Sequence, residues 1–170
     1  MRIISLVFLL VCFQTSFSQI KALTDKEVYE NLWALVPTNW DVISGSEYGL
    51  DFAMMRTDSS GIFNDNINLV AHTKTTEMNL KDFANLIAKQ FAQSYGLTEP
   101  IAIQGEEGSN LYILKSDLEA NVQNSNIPLT AVVYMFEYED MYFQFTYLGL
   151  TESYTTQKFL VNQMLKSACN

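Results

Sequence analysis

The spacing of apolar positions divides the chain into alternating strands and two amphipathic helices. The clearest helix is predicted over 80–95. Leu80, Phe83, Ala84, Ile87 and Phe91 fall at i, i+3, i+4, i+7 and i+11, Asn79 stands at the cap, Asp82 three residues on, and Gly96 follows Tyr95 as a stop. A second helix is predicted over 151–166, with Tyr154, Leu160, Val161, Met164 and Leu165 on its apolar side. Thr24 with Glu27 three positions later has the form of a capping box, which predicts a short helix over 24–30. Leu32 to Val36 reads as a short strand ending at Pro37, followed by a Pro37-Thr38-Asn39-Trp40 turn and a loop marked by Gly45 and Gly49.

Period-2 alternation predicts the remaining strands. Tyr48, Leu50, Phe52 and Met54 form one apolar stripe; Ile67, Leu69 and Ala71 face inward within a strand over 66–73. Between these lies the turn cluster Asp58-Ser59-Ser60-Gly61. Strands follow at 101–104 and 111–119, joined through Gly105 and Gly108, then a turn at 124–126. A long hairpin is predicted over 128–148, with Val132, Tyr134, Phe136 and Tyr138 on one arm and Met141, Phe143, Phe145 and Tyr147 on the other. The two stripes share a face when the loop has an even count, as a two-residue turn at Glu139-Asp140 provides; Glu-Asp is poor chemistry for a primed turn, so a four-residue loop is the alternative. The expected architecture is α+β: an antiparallel sheet of about six strands packed with helices, two layers with the apolar stripes in internal contact.

The first eighteen residues have the form of a signal peptide. Arg2 supplies the positive start, Ile3 to Phe13 the apolar run, and Ser16 and Ser18 the small residues before a cleavage point at Gln19. The run is too short to span a bilayer, which needs roughly 20 residues. Cys12 is preceded by the bulky Val11, so it reads as part of the run and not as a lipid attachment site. The domain reading is therefore 1–18 signal peptide and 19–170 a single domain, periplasmic or extracellular. Arg2 is the one charged residue in the leader, so the net charge of −9 becomes −10 on cleavage. That excess of acid argues against nucleic-acid partners and anionic membranes, and no second long apolar run predicts membrane insertion.

Several patterns together resemble the PsbP-like family, whose fold is shared by the photosystem II extrinsic protein, bacterial DcrB-like proteins and a yeast nuclear-import factor. They are Pro37-Thr38-Asn39-Trp40 after a first strand, Asn66-Ile67-Asn68-Leu69 ahead of a capped helix, the aromatic strand Tyr142-Phe143-Gln144-Phe145-Thr146-Tyr147, and a closing helix ending Met164-Leu165-Lys166-Ser167. The resemblance implies an antiparallel sheet flanked by helices in a non-enzymatic accessory or binding module. It carries over no ligand residue.

Candidate chemistry is sparse. His72, the single histidine, lies on the strand face of Asn68, Val70 and Lys74; a hydrolase built on it would need a nucleophile and an orienting acid supplied by the fold. One His and one cysteine near the terminus do not make a zinc set. Acids crowd two turns, Glu137, Glu139 and Asp140 at the hairpin tip and Asp58, Asn64, Asp65 and Asn66 in another loop, and these are the candidate calcium contacts. Neither matches an EF-hand, and turns favour Asp and Asn for local reasons. Cys169, alone in the mature chain, is a candidate for a disulfide between two chains. No catalytic set and no cofactor are expected, and Gly105-Glu106-Glu107-Gly108 carries acids where a phosphate loop needs bare amides. The leading expectation is an exported non-enzymatic protein-binding or accessory module of the envelope. A carrier of an apolar ligand or lipid is the alternative, and a His72 hydrolase the third.

Overall fold

A computed structural model describes residues 23–29, 32–43, 49–58, 61, 63–105, 108–122 and 124–169. The signal-peptide segment with Cys12, and the loop positions Gly45 and Tyr48, lie outside the described residues. Strands β1 (Leu23–Tyr29) and β2 (Leu32–Pro37) form a separate antiparallel hairpin. Strands β3 (Trp40–Ile43), β4 (Phe52–Arg56) and β5 (Asn66–Thr73) precede helix α1 (Leu80–Ser94). Strands β6 (Ile103–Gln104), β7 (Leu111–Val122), β8 (Ser125–Tyr138) and β9 (Met141–Leu150) lead directly into helix α2 (Thr151–Ser167). The main sheet has seven strands in the order β3-β4-β5-β9-β8-β7-β6, and every neighbouring pair is antiparallel.

The α+β class and both main helices agree with the sequence reading. The main sheet has seven strands against about six expected, Ser125 and Asn126 pair within β8 where a turn over 124–126 is expected, Ile101 and Ala102 lie outside β6, and Leu50 precedes β4. Three larger features also differ. First, 24–30 is not a helix. Residues 23–29 pair with β2 from Leu23↔Pro37 to Tyr29↔Leu32, with an irregularity between Glu27 and Tyr29. A two-turn helix is marginal alone, whereas the hairpin satisfies the same backbone groups and lets Val28 and Tyr29 reach the core. Second, Trp40–Ile43 is a strand and not part of a loop, paired to β4 from Trp40↔Arg56 to Ile43↔Ala53. Third, the body has three layers instead of two.

The third layer follows from parity along β8. Its residues Val132, Tyr134 and Phe136 join Phe143, Phe145 and Tyr147 of β9, with Ile67 and Leu69 of β5, under α2 and the β1–β2 hairpin. The intervening Val133 and Met135 join Tyr142 and Leu114 under Phe83, Ala84, Ile87 and Ala88 of α1 on the opposite face. From Leu129 through Phe136 every β8 residue is buried, as expected of a central strand covered on both sides. Phe143 and Tyr147 hold the first face at two points. Tyr29 of the hairpin meets Phe143 edge-on at 5.2 Å, and Tyr154 of α2 meets Tyr147 at 5.6 Å. Truncating a side chain as enclosed as Phe145 costs about 3–5 kcal/mol.

Local signals behave as their chemistry demands. Asn79 caps α1 by accepting from the Asp82 N–H at 2.9 Å, and Gly96 closes it at φ +68°. The β8–β9 turn is the two-residue Glu139-Asp140, since Tyr138 pairs with Met141. Val132, Tyr134 and Phe136 therefore lie opposite Tyr147, Phe145 and Phe143 on one face.

A polar row beneath the start of the last helix

On the α2 side, the apolar face of the sheet gives way at one end to a polar row that crosses the strands. Trp40 pairs with Arg56, and the Arg56 N–H donates to the Asp65 carbonyl at 2.9 Å. One step beyond the Asn66–Leu148 pair, Asp65 stands beside Gly149; Gly149 pairs with Thr130, and Thr130 with Asp117. The row therefore reads Trp40, Arg56, Asp65, Gly149, Thr130, Asp117. Directly opposed residues on a sheet share a face, which is why so many polar groups converge there.

Asp65 is the anchor. It is 1% exposed, and its carboxylate accepts the Leu150 N–H at 3.0 Å and lies 3.4 Å from Arg56 Nη1. Leu150 is the residue before α2, so this buried carboxylate ties the end of β9 and the start of the helix to β5. Gly149 is what admits it. A Cβ there would overlap the Tyr147 hydroxyl and sit 2.6 Å from Asp65 Oδ1. Burial, and then the adjoining Asp65 carboxylate, push the Tyr147 hydroxyl far above the usual phenol range. Thr130 Oγ1 bridges the far side, donating to Asp117 Oδ1 at 2.8 Å and lying 3.2 Å from Thr151 Oγ1 of α2. Lys115 Nζ caps the Tyr154 ring at 4.9 Å.

At its outer end the row opens into a pocket of about 290 Å³ between Pro37, Asn39, Arg56, Asp58, Gln157 and Phe159. The Arg56 guanidinium is ion-paired to Asp58 as well as Asp65. The Asp58 hydrogen bond raises Arg56, and the same contact holds Asp58 below the ordinary carboxylate range. With its amide turned oxygen-inward, Gln157 accepts from Arg56 Nη1 at 2.5 Å and Nη2 at 3.2 Å. The cation is thus balanced by two carboxylates and is in place to position the helix, not to attract an anion. Phe159 at the rim is 65% exposed, and Trp33 on the outer side of β2 is 52% exposed. Both rise from the layer formed by the hairpin and α2.

The residues singled out from sequence are scattered. His72 is half-buried on the α1 face, edge-on to Phe83 at 5.1 Å; burial lowers its pKa, against a smaller opposing pull from Asp51. Cys169 packs against the core on the opposite face, its Sγ 3.4 Å from the Leu165 carbonyl and its thiol pushed up to about 12 by burial. His72 and Cys169 therefore cannot act as a pair. Glu137 is ion-paired to Lys74 at 2.7 Å, while Glu139 and Asp140 form the exposed turn. Asp58 and Asp65 belong to the Arg56 network. Among the described residues no group of three or more His, Cys, Asp or Glu side chains is placed to hold a metal ion. A second pocket of about 470 Å³, at the start of α1, is lined by Asn79, Lys81, Ser109, Tyr112 and Glu137. Sequence reasoning missed Arg56, Thr130, Gly149 and Gln157. The available signal was strand pairing, which would have aligned Arg56, Asp65 and Gly149 once the register was known.

No known protein family and no curated protein matches the sequence. Among solved structures, the chain resembles cyanobacterial PsbP (CyanoP) from Synechocystis, with a TM-score of 0.58 and 15% identity over 86% of this chain and 91% of that one. It also resembles LpqN of Mycobacterium tuberculosis, described as involved in cell envelope biogenesis, with a TM-score of 0.54 and 9% identity over 85% and 88%. The Ran-binding protein Mog1p of Saccharomyces cerevisiae gives a TM-score of 0.52 and 15% identity over 86% and 87%. Among the described residues no helix is long and apolar enough to cross a membrane. At these identities the likeness is one of architecture, and on it the chain has the PsbP-like fold.

Proposed function

We propose that this is an exported, non-enzymatic accessory module of the cell envelope that binds a partner protein through the layer formed by the β1–β2 hairpin and α2. The observation that carries the reading is the exposure of two large aromatics on that layer, Phe159 at 65% and Trp33 at 52%, while the other large aromatics among the described residues are mostly enclosed. Exposed Trp and Phe beside a polar rim are the usual anchors of protein–protein contact. In this reading residues 1–18 are a cleaved signal peptide and residues 19–170 one domain, periplasmic or extracellular. The fold it shares with LpqN, described as an envelope-biogenesis protein, and with a Ran-binding protein supports a binding role.

The carrier alternative requires a hollow between sheet and helices. That space is filled by Met54, Ile67, Leu69, Phe143, Phe145, Tyr147, Met164 and Leu165, all fully buried, which weighs for contact at the surface. The test is a photo-reactive phenylalanine analogue at position 159 in cells that make the protein, with position 89 on the exposed side of α1 as control. A discrete heavier adduct is expected from position 159 alone. No adduct, or the same adducts from both positions, overturns the reading, as does hydrolase turnover that His72→Ala abolishes.

A further inference from the structure

A second surface, independent of Phe159, lies at the other end of the sheet. Strand β7 pairs with β8 along its whole length, from Leu111↔Phe136 to Val122↔Ser125. Its outer side pairs with β6 at two positions only, Ile113 and Leu114. From Lys115 onward the outer edge has no backbone partner among the described residues. The direction of each backbone group follows from the turns. Val122 and Ser125 close a two-residue turn, so they exchange hydrogen bonds, and alternation along the ladder then makes the even-numbered β7 residues bond to β8. The β8–β9 turn gives the same parity independently, because Tyr138 and Met141 close it and the even β8 residues bond to β9. Lys115, Asp117, Glu119 and Asn121 therefore present their N–H and C=O groups outward, and all four side chains are exposed.

We propose that this edge accepts an extended segment of a partner protein as an eighth strand, and that the segment carries basic residues at alternate positions. Strand addition supplies the backbone bonds, and the side chains set the choice. A docked strand would place one alternate set of side chains opposite Asp117 and Glu119 and the other beside Leu118 and Ala120, on the face where Phe91 and Tyr95 of α1 pack. The fitting pattern is basic, apolar, basic. A second copy of this chain is disfavoured in the registers that use most of this edge. Antiparallel self-pairing centred on Asp117 or Glu119 sets that acid against itself, and centring on Leu118 sets Asp117 against Glu119 twice. Centring on Ser116, which would set Lys115 against Asp117, runs at once into the part of the edge that β6 occupies. The acids thus block self-association, as charges on edge strands do, while favouring a basic strand.

The probe is a capped, fluorescein-labelled Lys-Val-Lys-Val-Lys peptide, with Glu-Val-Glu-Val-Glu as control, titrated into the full mature protein. Saturable binding of the basic peptide is expected, with the amide hydrogens of Lys115, Asp117, Glu119 and Asn121 exchanging fast in the free protein and slowly in the complex. Glu119→Pro removes one outward N–H and leaves the β8 ladder intact, so it should abolish binding. Glu119→Lys should weaken it about tenfold, and it keeps the test decisive if the proline variant does not fold. The proposal is overturned by absent or non-saturable binding, by binding that neither variant changes, by amides already protected in the free protein, or by a dimer in sedimentation.

Discussion

Replacing Gly149 by alanine tests whether the buried polar row depends on a missing side chain. The new Cβ would overlap the Tyr147 hydroxyl, approach its ring carbon to 2.5 Å and stand 2.6 Å from Asp65 Oδ1. Tyr147 is wholly buried and Asp65 is 1% exposed, so neither can swing into solvent. Overpacking of this kind costs about 1–3 kcal/mol. If Asp65 is displaced, the Leu150 N–H loses its acceptor, a further penalty of about 1–3 kcal/mol. Against these stands the intrinsic gain of removing a glycine from a strand, roughly 0.5–1 kcal/mol. A net destabilisation of about 2–3 kcal/mol follows, which in urea, with a slope of about 2 kcal/mol/M, lowers the midpoint by about 1 M. Circular dichroism during urea unfolding reads it directly. In a Tyr147→Phe background, where the hydroxyl that meets the new methyl is gone, about 1 kcal/mol of the loss should be recovered. An unchanged or raised midpoint for Gly149→Ala would refute the argument that this glycine is what lets Asp65 and Tyr147 meet.

Four further outcomes are expected. Cys169, with its thiol pushed up to about 12, should resist thiol reagents in the folded protein at pH 8 and react on unfolding, and non-reducing gels should show a monomer. His72 is held below its ordinary pKa by burial, so its contribution to stability is present above about pH 6.5 and lost as the pH falls from there toward the lowered folded value; His72→Gln should flatten that part of the stability profile measured by chemical denaturation. Glu139 holds a left-handed φ of +51° in the β8–β9 turn, so Glu139→Gly should raise stability by about 1 kcal/mol, read as a higher melting temperature. Millimolar calcium should leave the melting midpoint unchanged, because Glu137 is ion-paired to Lys74 and Asp58 and Asp65 to Arg56; a rise would restore the turn acids as a site.

The sequence was readable where one local rule acted alone. The Asn79 cap and the Gly96 stop each report on a single turn of helix, the five-residue apolar stripe of α1 on one face of about three turns, and the structure shows all three. The shared face of the long hairpin was also legible, because side-chain alternation across any loop of even length sets the aromatic stripes together; whether that loop has two residues or four is decided only by the Tyr138↔Met141 pairing. Thr24 and Glu27 misled because a capping box states only that a helix could start. It says nothing about β2, which offers the same backbone a better partner. The third layer was overlooked for a related reason. Val133 and Met135 are as apolar as Val132 and Tyr134, and an unbroken apolar run signals burial on both faces, which the alternation of a half-buried strand does not reveal. Trp40 to Ile43 is too short for a period to register. The polar row was invisible because its members come from five strands and from Asp65, the residue just before a sixth; Arg56, Asp65 and Gly149 become neighbours only through pairing between strands far apart in sequence.

The account rests on an interior that is full and on the proposal that the surface binds a protein, and native mass spectrometry of the chain isolated gently from cells that make it tests both at once. The expected spectrum shows a chain beginning at Gln19, free of small-molecule mass, together with a heavier species that carries a protein-sized addition. A stoichiometric adduct of lipid size on the mature chain, with no protein complex, would contradict it.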